Sequence, residues 1–413
     1  MDEDLSPALV EKLTYLGTKL PSFRDAHEAL DRLLRTQISL KRVERQTERI
    51  GAERVIQREA EIAAWNDLPL VQRDQAPSGV KAPEVAAVLA DGGRLQLCQE
   101  NLDARDDGSS KKKSHWHEYK AGVMQTLKSV ASTDDPCRAV PEVYLRPEKI
   151  DQLAREITTL AARAEPLEPT ATDSVAAASA EPITGYAPPQ VVDRDVIATR
   201  RDSRAFGRQL AARAWSLGLF AAKRKAFLGD GSSWIWTEWE RFFRAFGFVP
   251  ILDFIHALTR VYAAALAGHE QATGWKIYER WITWVWRGEV TQVIAQLAAR
   301  QQTLGLPTTD DGDTHPRRIV SETLTYLQNQ QSRMNSPEYR KQGLPITSAH
   351  MESTVKQINR RIKGSEKYWS ETGAEDLLQL TADHLSTSQP MTAFWHTRPQ
   401  NQPGTRTYAK SAG

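Results

Sequence analysis

The chain has 413 residues, 40% hydrophobic and 26% charged, which suits a folded protein with room for two or three domains. Lys and Arg number 54 against 52 Asp and Glu, so a net charge of +2 excludes a uniformly basic nucleic-acid binder and any basic surface must be local. Cys98 and Cys137 are too few for a disulfide framework, a zinc ribbon or an iron-sulfur site, no apolar run reaches membrane-spanning length, and the acidic start MDEDLSPALVEKL lacks a signal peptide's order. The expectation is a cytoplasmic protein without a membrane partner.

From Pro7 to about Ile62 the apolar spacing is helical, with Leu9, Leu13 and Leu16 on one stripe and Phe23, Ala26, Leu30 and Leu33 on another. A polar break, RTQI, precedes Ser39, placed to cap a helix closed by Gly51. Lys41, Arg42 and Arg45 project from that helix. Two readings fit: a helix-turn-helix whose second helix contacts DNA, or a helical hairpin with a solvated charged face, since the turn lacks the glycine that such turns often carry.

From Val80 the period changes. VAAVLAD, a Gly-Gly turn and RLQLCQE read as a hairpin, with Asp91 ending its first strand, and HWHEYKAGVMQTL reads as a third strand. His115 and His117 alternate on that strand, and with no third ligand nearby a solvated pair is the plainer reading. Asp135 to Arg163 reads as helix, and the Pro/Ala/Ser-rich stretch over 165–190 as a linker. A helix follows with Phe206, Leu210, Ala214 and Leu217 along one side, then a strand, KAFLGD, ending at Asp230. WTEWERFFRAF is a short amphipathic helix, FVPILD a buried strand and FIHALTRVYAAALAG a buried helix. Gly274 to Leu304 is helical and tryptophan-rich, a further helix runs to about Gln331, and the tail after Ser386 reads as disordered. Trp275, Tyr278, Ile282 and Val285 share a core stripe, while Trp286, beside Arg287, is the ring kept as a DNA contact.

The order of three strands, helix, strand, helix, strand and a last helix is that of an RNase H-like fold, which would bring Asp91, Asp230 and Glu352 into one site. On the helix SAHMESTVKQINRRIKG, Met351, Val355, Ile358 and Ile362 form the buried face. Glu352, Lys356, Asn359 and Lys363 stack on one flank, with Arg360 just beyond. That flank reads either as a metal-ligating acid beside phosphate-neutralising cations or as a solvated helix with a Glu352–Lys356 pair at i,i+4. Three carboxylates suit magnesium, which prefers oxygen ligands, and two ions can activate the attacking oxygen and stabilise the leaving one. GDGSS lacks the spacing and lysine of a P-loop, so no nucleotide cofactor is expected.

Several blocks in order (LADGGRLQL, WHEYKAG, PCRAVPEVYL, FLGDGSSWIW, PILDFIHAL, ERWITWVWRGEV, GLPITSAHMESTVKQINRRIKGSEKYW and GAEDLLQL) resemble the DDE transposases of the ISKra-type insertion sequences. The resemblance covers nearly the whole chain. It implies an α/β, RNase H-like mixed sheet flanked by helices, an N-terminal helical DNA-binding domain (1–75) and a catalytic domain (80–270 and 345–385, with an excursion at about 135–200). An all-helical insertion (271–344) and a disordered tail (386–413) complete the arrangement. It further implies Asp91, Asp230 and Glu352 as the catalytic, metal-ligating acids, two Mg²⁺ ions for which Mn²⁺ can substitute, and action on double-stranded DNA at terminal inverted repeats and target sites. A homodimer or larger assembly in the bacterial cytosol would be expected. Asp253 and His256 match an Asp-x-x-His signature and read either as a pair supporting the site or as a satisfied buried histidine with its carboxylate. The chain departs from the pattern in the small residues of VAAVLAD and in the Ala/Pro linker, neither of which touches an acid. A different class of function also fits: a non-catalytic DNA-binding protein, derived from such an enzyme, that only occupies element ends.

Overall fold

In a computed structural model, residues 5–35, 37–98, 115–157, 186–364 and 366–399 are described. The core is a mixed sheet of β1 (Val85–Leu97), β2 (Trp116–Lys128), β3 (Gln190–Thr199), β4 (Arg224–Gly229), β5 (Val249–Leu252) and β6 (Tyr368–Trp369). The order is β3-β2-β1-β4-β5, with β6 joining β1. β1, β2 and β3 are antiparallel neighbours, and β4 runs parallel to both β1 and β5.

The turn expected at Gly92–Gly93 does not form, and β1 passes straight through both glycines, leaving Asp91 in mid-strand rather than at a strand end. Gly93 is needed for another reason: the ring of Tyr119, its cross-strand partner, lies over it, and an added Cβ would sit 2.3 Å from that ring. The third strand is instead QVVDRDVIAT, just beyond the expected linker. Its two aspartates and its half-exposed first residues hide the apolar run VIAT that is buried. The sheet still has three strands before α6, but different residues supply two of them and the helix expected after the third strand falls between the second and the third. Most of the linker, up to residue 185, lies outside the described residues.

Helices cover both faces. Leu210 and Phe206 of α6 (Ser203–Ser216) press on Gly122, whereas Asn359 of α13 (Ala349–Ile362) accepts a 2.9 Å hydrogen bond from Tyr119. Positions 119 and 122 point to opposite sides of β2, so α6 and α13 lie on opposite faces. α7 (Ser233–Phe242) joins α6, and α14 (Glu371–Leu385) packs beside α13 and on β3. Three N-terminal helices, α1 (Pro7–Lys19), α2 (Phe23–Leu34) and α3 (Leu40–Asp67), lie outside these, and a short α4 (Leu70–Arg73) follows. α5 (Pro147–Ile157) supplies only part of the helix expected over 135–163. α8 (Phe254–Leu266) follows β5 directly and leads into α9 (Gln271–Trp286), α10 (Val290–Leu304), α11 (Pro316–Gln330) and α12 (Ser336–Lys341).

The helix expected to stop at Gly51 runs on to Asp67 as the 28-residue α3, because Gly51 serves packing rather than termination. α3 crosses α14 at that point, where an added Cβ would lie 2.5 Å from the Asp376 Cβ and 2.8 Å from its carbonyl oxygen. Buried ion pairs reinforce the crossing, Arg54 with Asp383 and Arg58 with Glu375 at 2.9 Å each.

Two further expectations are overturned. The tail is ordered as far as residue 399: α15 (Pro390–Thr397) buries Met391 and Phe394, Pro390 starts it, and Arg398 forks onto Glu53 at 2.6 and 2.9 Å. Residues 400–413 lie outside the described residues. Trp286 is 3% exposed, donates its indole N–H to the Cys137 carbonyl at 2.7 Å, and lies beneath the guanidinium of fully buried Arg340. Arg340 in turn forks onto Asp135 at 2.8 and 2.6 Å. The N–H and a ring face of Trp286 are thus used inside the protein, and its burial removes it from the set of DNA contacts.

The α3–α14 crossing yields a test of sign. In an isolated helix alanine is better than glycine by about 1 kcal/mol. Gly51→Ala is expected to destabilise this protein instead, by roughly 1–3 kcal/mol in chemical denaturation, because the methyl meets backbone that cannot turn aside.

Candidate functional site

β1 and β4 pair in parallel from Val85↔Arg224 to Leu89↔Leu228, and the same register carried two residues further sets Asp91 beside Asp230. β4 ends at Gly229, whereas β1 runs on to Leu97, so the two acids stand where the sheet opens. Asp230 is held in a side-chain turn, accepting from the Ser232 N–H at 2.8 Å and the Ser232 hydroxyl at 3.0 Å. Gly231 follows at φ +105°, a left-handed conformation that favours glycine, and an added Cβ would lie 2.5 Å from the Tyr326 ring. Tyr326 and Gln330 of α11 donate to the carbonyls of Asp230 and Gly231 at 2.7 and 3.0 Å. The helices between α8 and α13 therefore brace the turn that aims Asp230.

An open cleft of about 410 Å³ begins at these acids and is lined by Asp91, Gly92, Arg94, Glu118, Asp230 and Trp234, among others. Burial pushes the Asp91 carboxyl up to about 7, aided by the nearby charge of Asp230 and, more weakly, of Glu352 and Glu118, while the Gly92 N–H opposes the shift. The strongest charges acting on Asp91 are thus all acidic. Glu352, half-buried in the first turn of α13, belongs to the same electrostatic group although it comes from a distant part of the chain.

Asp253 and His256 do not pair. Asp253 caps α8, accepting from the Ile255 N–H at 2.8 Å, and its other oxygen accepts from both the N–H and the hydroxyl of Ser348, the residue before α13. The Phe254 N–H adds a 2.9 Å bond to the Ile346 carbonyl. Asp253 is therefore the clasp that fixes the start of the helix bearing Glu352. Burial holds it up at about 8, with Glu352 and Asp91 adding to the shift and its N–H donors opposing it. His256 is held below the usual histidine range by burial, with Asp230 opposing and Arg260 reinforcing.

The basic residues fall into two groups. Lys356 and Arg360 are exposed on α13 and Lys363 just past its end, so they share Glu352's helix. Lys41, Arg42 and Arg45 sit on the first turns of α3, where Lys41 pairs with Glu44 at 2.9 Å. Sequence reasoning missed Ser348, Tyr326 and Gln330. A serine directly before a helix that carries an acid in its first turn was the available signal for Ser348; the other two act by distant contacts that no local pattern reveals.

The donor set fits a divalent cation of hard character. Among the described residues no three His, Cys, Asp or Glu side chains are grouped to grip one ion together, yet magnesium commonly takes only one or two carboxylates and completes its shell with water and phosphate oxygens.

Asp253 gives a pH prediction. Its folded-state value lies above its ordinary one of 3.8, so the stability tied to its neutral form is complete below about 3.8 and lost as pH rises through about 8. Asp253→Asn keeps one carbonyl acceptor, for the Ile255 N–H, turns an NH₂ towards Ser348, whose hydroxyl can accept from it, and cannot ionise. Unfolding midpoints measured from pH 5 to 9 are expected to shift progressively in the variant's favour, and a gap constant with pH would refute the assignment. No protein-family model and no curated protein matches the chain.

Proposed function

We propose that the chain is a metal-dependent enzyme that cuts and rejoins DNA, a DDE transposase of the ISKra type with an RNase H-like catalytic core. The observation that supports this reading is the placing of Asp91 beside Asp230 where the pairing of β1 and β4 ends, with Glu352 in the same acidic field. Gathering like charges in a half-buried cleft is unfavourable without a counter-charge, and a divalent cation is the counter-charge that also serves phosphoryl chemistry. Sheet topology supports the reading further: two antiparallel pairings, then two parallel ones, with one acid on the first strand, one directly after the fourth and the third on a late helix.

Asp91, Asp230 and Glu352 would hold Mg²⁺, with Mn²⁺ able to replace it. When bound, the ions would neutralise charge on the phosphoryl group and make water a stronger nucleophile at neutral pH. The chain's own residues have separate tasks. Ser232 and Gly231 aim Asp230, Asp253 fixes the approach of Glu352 through Ser348, and Lys356, Arg360 and Lys363 hold the phosphate backbone beside the acids. Hydrolysis frees a 3′-hydroxyl, whose attack on target DNA needs no covalent protein intermediate. Lys41, Arg42 and Arg45 on α3 contact terminal inverted repeats, and bringing two ends together calls for at least two copies of the chain.

Purified protein with Mg²⁺ and the sequence flanking its own gene tests this. Asp91→Asn, Asp230→Asn and Glu352→Gln are each expected to lower strand cleavage beyond the roughly 10- to 100-fold typical of losing a residue behind a metal ligand, with DNA binding retained. Wild-type protein that binds the ends but leaves them intact would instead support the non-catalytic reading.

A further inference from the structure

Past Leu89↔Leu228 the flank of β1 is free of β4, and β6 joins only at Gln96↔Tyr368. At that level β2 contributes Trp116, the direct partner of Gln96. Trp116 and Tyr368 therefore flank Gln96 across three strands, and side chains opposite one another on neighbouring strands leave the same face. Gln96 is buried and donates its amide to the Gly364 carbonyl at 2.5 Å, while Trp116 is 39% and Tyr368 46% exposed. Of the chain's tryptophans, all within the described residues, Trp116 is the one that is exposed.

The two rings are held in place. His115 meets Tyr368 edge-on with centroids 5.6 Å apart, and the Lys363 ammonium lies 5.6 Å from the centre of the Trp116 ring. From Asp91 to Gln96 the strand advances about 17 Å at roughly 3.3 Å per residue, and the two residues leave opposite faces of β1, so a path between them crosses the strand's edge; exposed Arg94 shares the face of Gln96 along the way. Aromatic faces beside cations match a polyanion that carries flat rings. Bases in a duplex keep their faces stacked on one another, so the match is to an unpaired strand.

We infer that Trp116 and Tyr368 form a stacking platform for unpaired bases of a DNA strand running from the acidic cleft along the flank of β1 that lies beyond β4. This rests on the reading of the chain as a DNA-acting enzyme and specifies the state of its substrate: part of the DNA lies unpaired on the protein. Lys363 serves both parts of the strand, beside a ring and within reach of phosphate.

Fluorescence anisotropy of the full chain in metal-free buffer tests it, with a labelled single strand of about twelve nucleotides and a hairpin duplex of the same sequence as probes. Trp116→Ala and Tyr368→Ala are each expected to weaken single-strand binding at least about fivefold while leaving the duplex nearly unchanged, with Trp116→Phe restoring most of the loss. Single-strand binding by both alanine variants at wild-type strength would overturn the inference. If that occurs while the wild type binds and cuts duplex ends, only the platform fails. A wild type that binds neither probe would remove the DNA-acting reading and the platform with it.

Discussion

The parallel register between β1 and β4 is the constraint on which the site depends. Pairing stops at Leu89 and Leu228, and two residues later each strand carries an aspartate. A slip of one residue would turn either side chain to the other face of the sheet. Both faces of these strands are buried, with Val88 and Phe227 on one and Leu89 and Leu228 on the other, so it is the fit of side chains of different size against the helices, not a polar face, that holds the register below the charges. The unequal lengths of the two strands then create the cleft, because β1 continues where β4 has turned away.

The other parts of the molecule serve that opening from outside the sheet. α11 braces the turn after β4 through Tyr326 and Gln330, and Asp253 brings the start of α13 to β5 through Ser348. On the far side of α13, Arg361 donates to the Gly17 carbonyl at 3.0 Å and lies between the rings of Phe23 and Trp369, joining the N-terminal helices to the helix that bears Glu352. The acid is thus held at both ends of its helix. Such bracing is what a cluster of like charges requires, since the carboxylates themselves would move apart if their supports allowed it.

Much of this was legible in the sequence, and the failures have physical reasons. KAFLGD and FVPILD are short apolar runs bounded by turn residues, and both are strands as expected. The helix bearing Glu352 shows the expected stripe, with Met351, Ile358 and Ile362 buried. Gly-Gly was misread because glycine signals a turn and a close approach equally well, and here Tyr119 needs the space. The same ambiguity hid the length of α3 at Gly51. β3 was missed since only half of it is buried, and Trp286 was misassigned because its partner, Arg340, lies 54 positions away. Local pattern reports which face is apolar; it does not report which distant residue will cover a ring or occupy a gap.

The proposed role of Asp91, Asp230 and Glu352 is to bind divalent cations between them, with water completing the shell of each ion. Calorimetric titration of the metal-free protein with Mg²⁺ near pH 7, in buffers of different ionisation heat, tests it most directly. Asp91, pushed up to about 7, still holds part of a proton there, and a bound cation would expel it. Saturable binding with proton release is expected in the wild type, and weaker binding without that release in Asp91→Asn. Equal heats and equal proton release in the two proteins would contradict it.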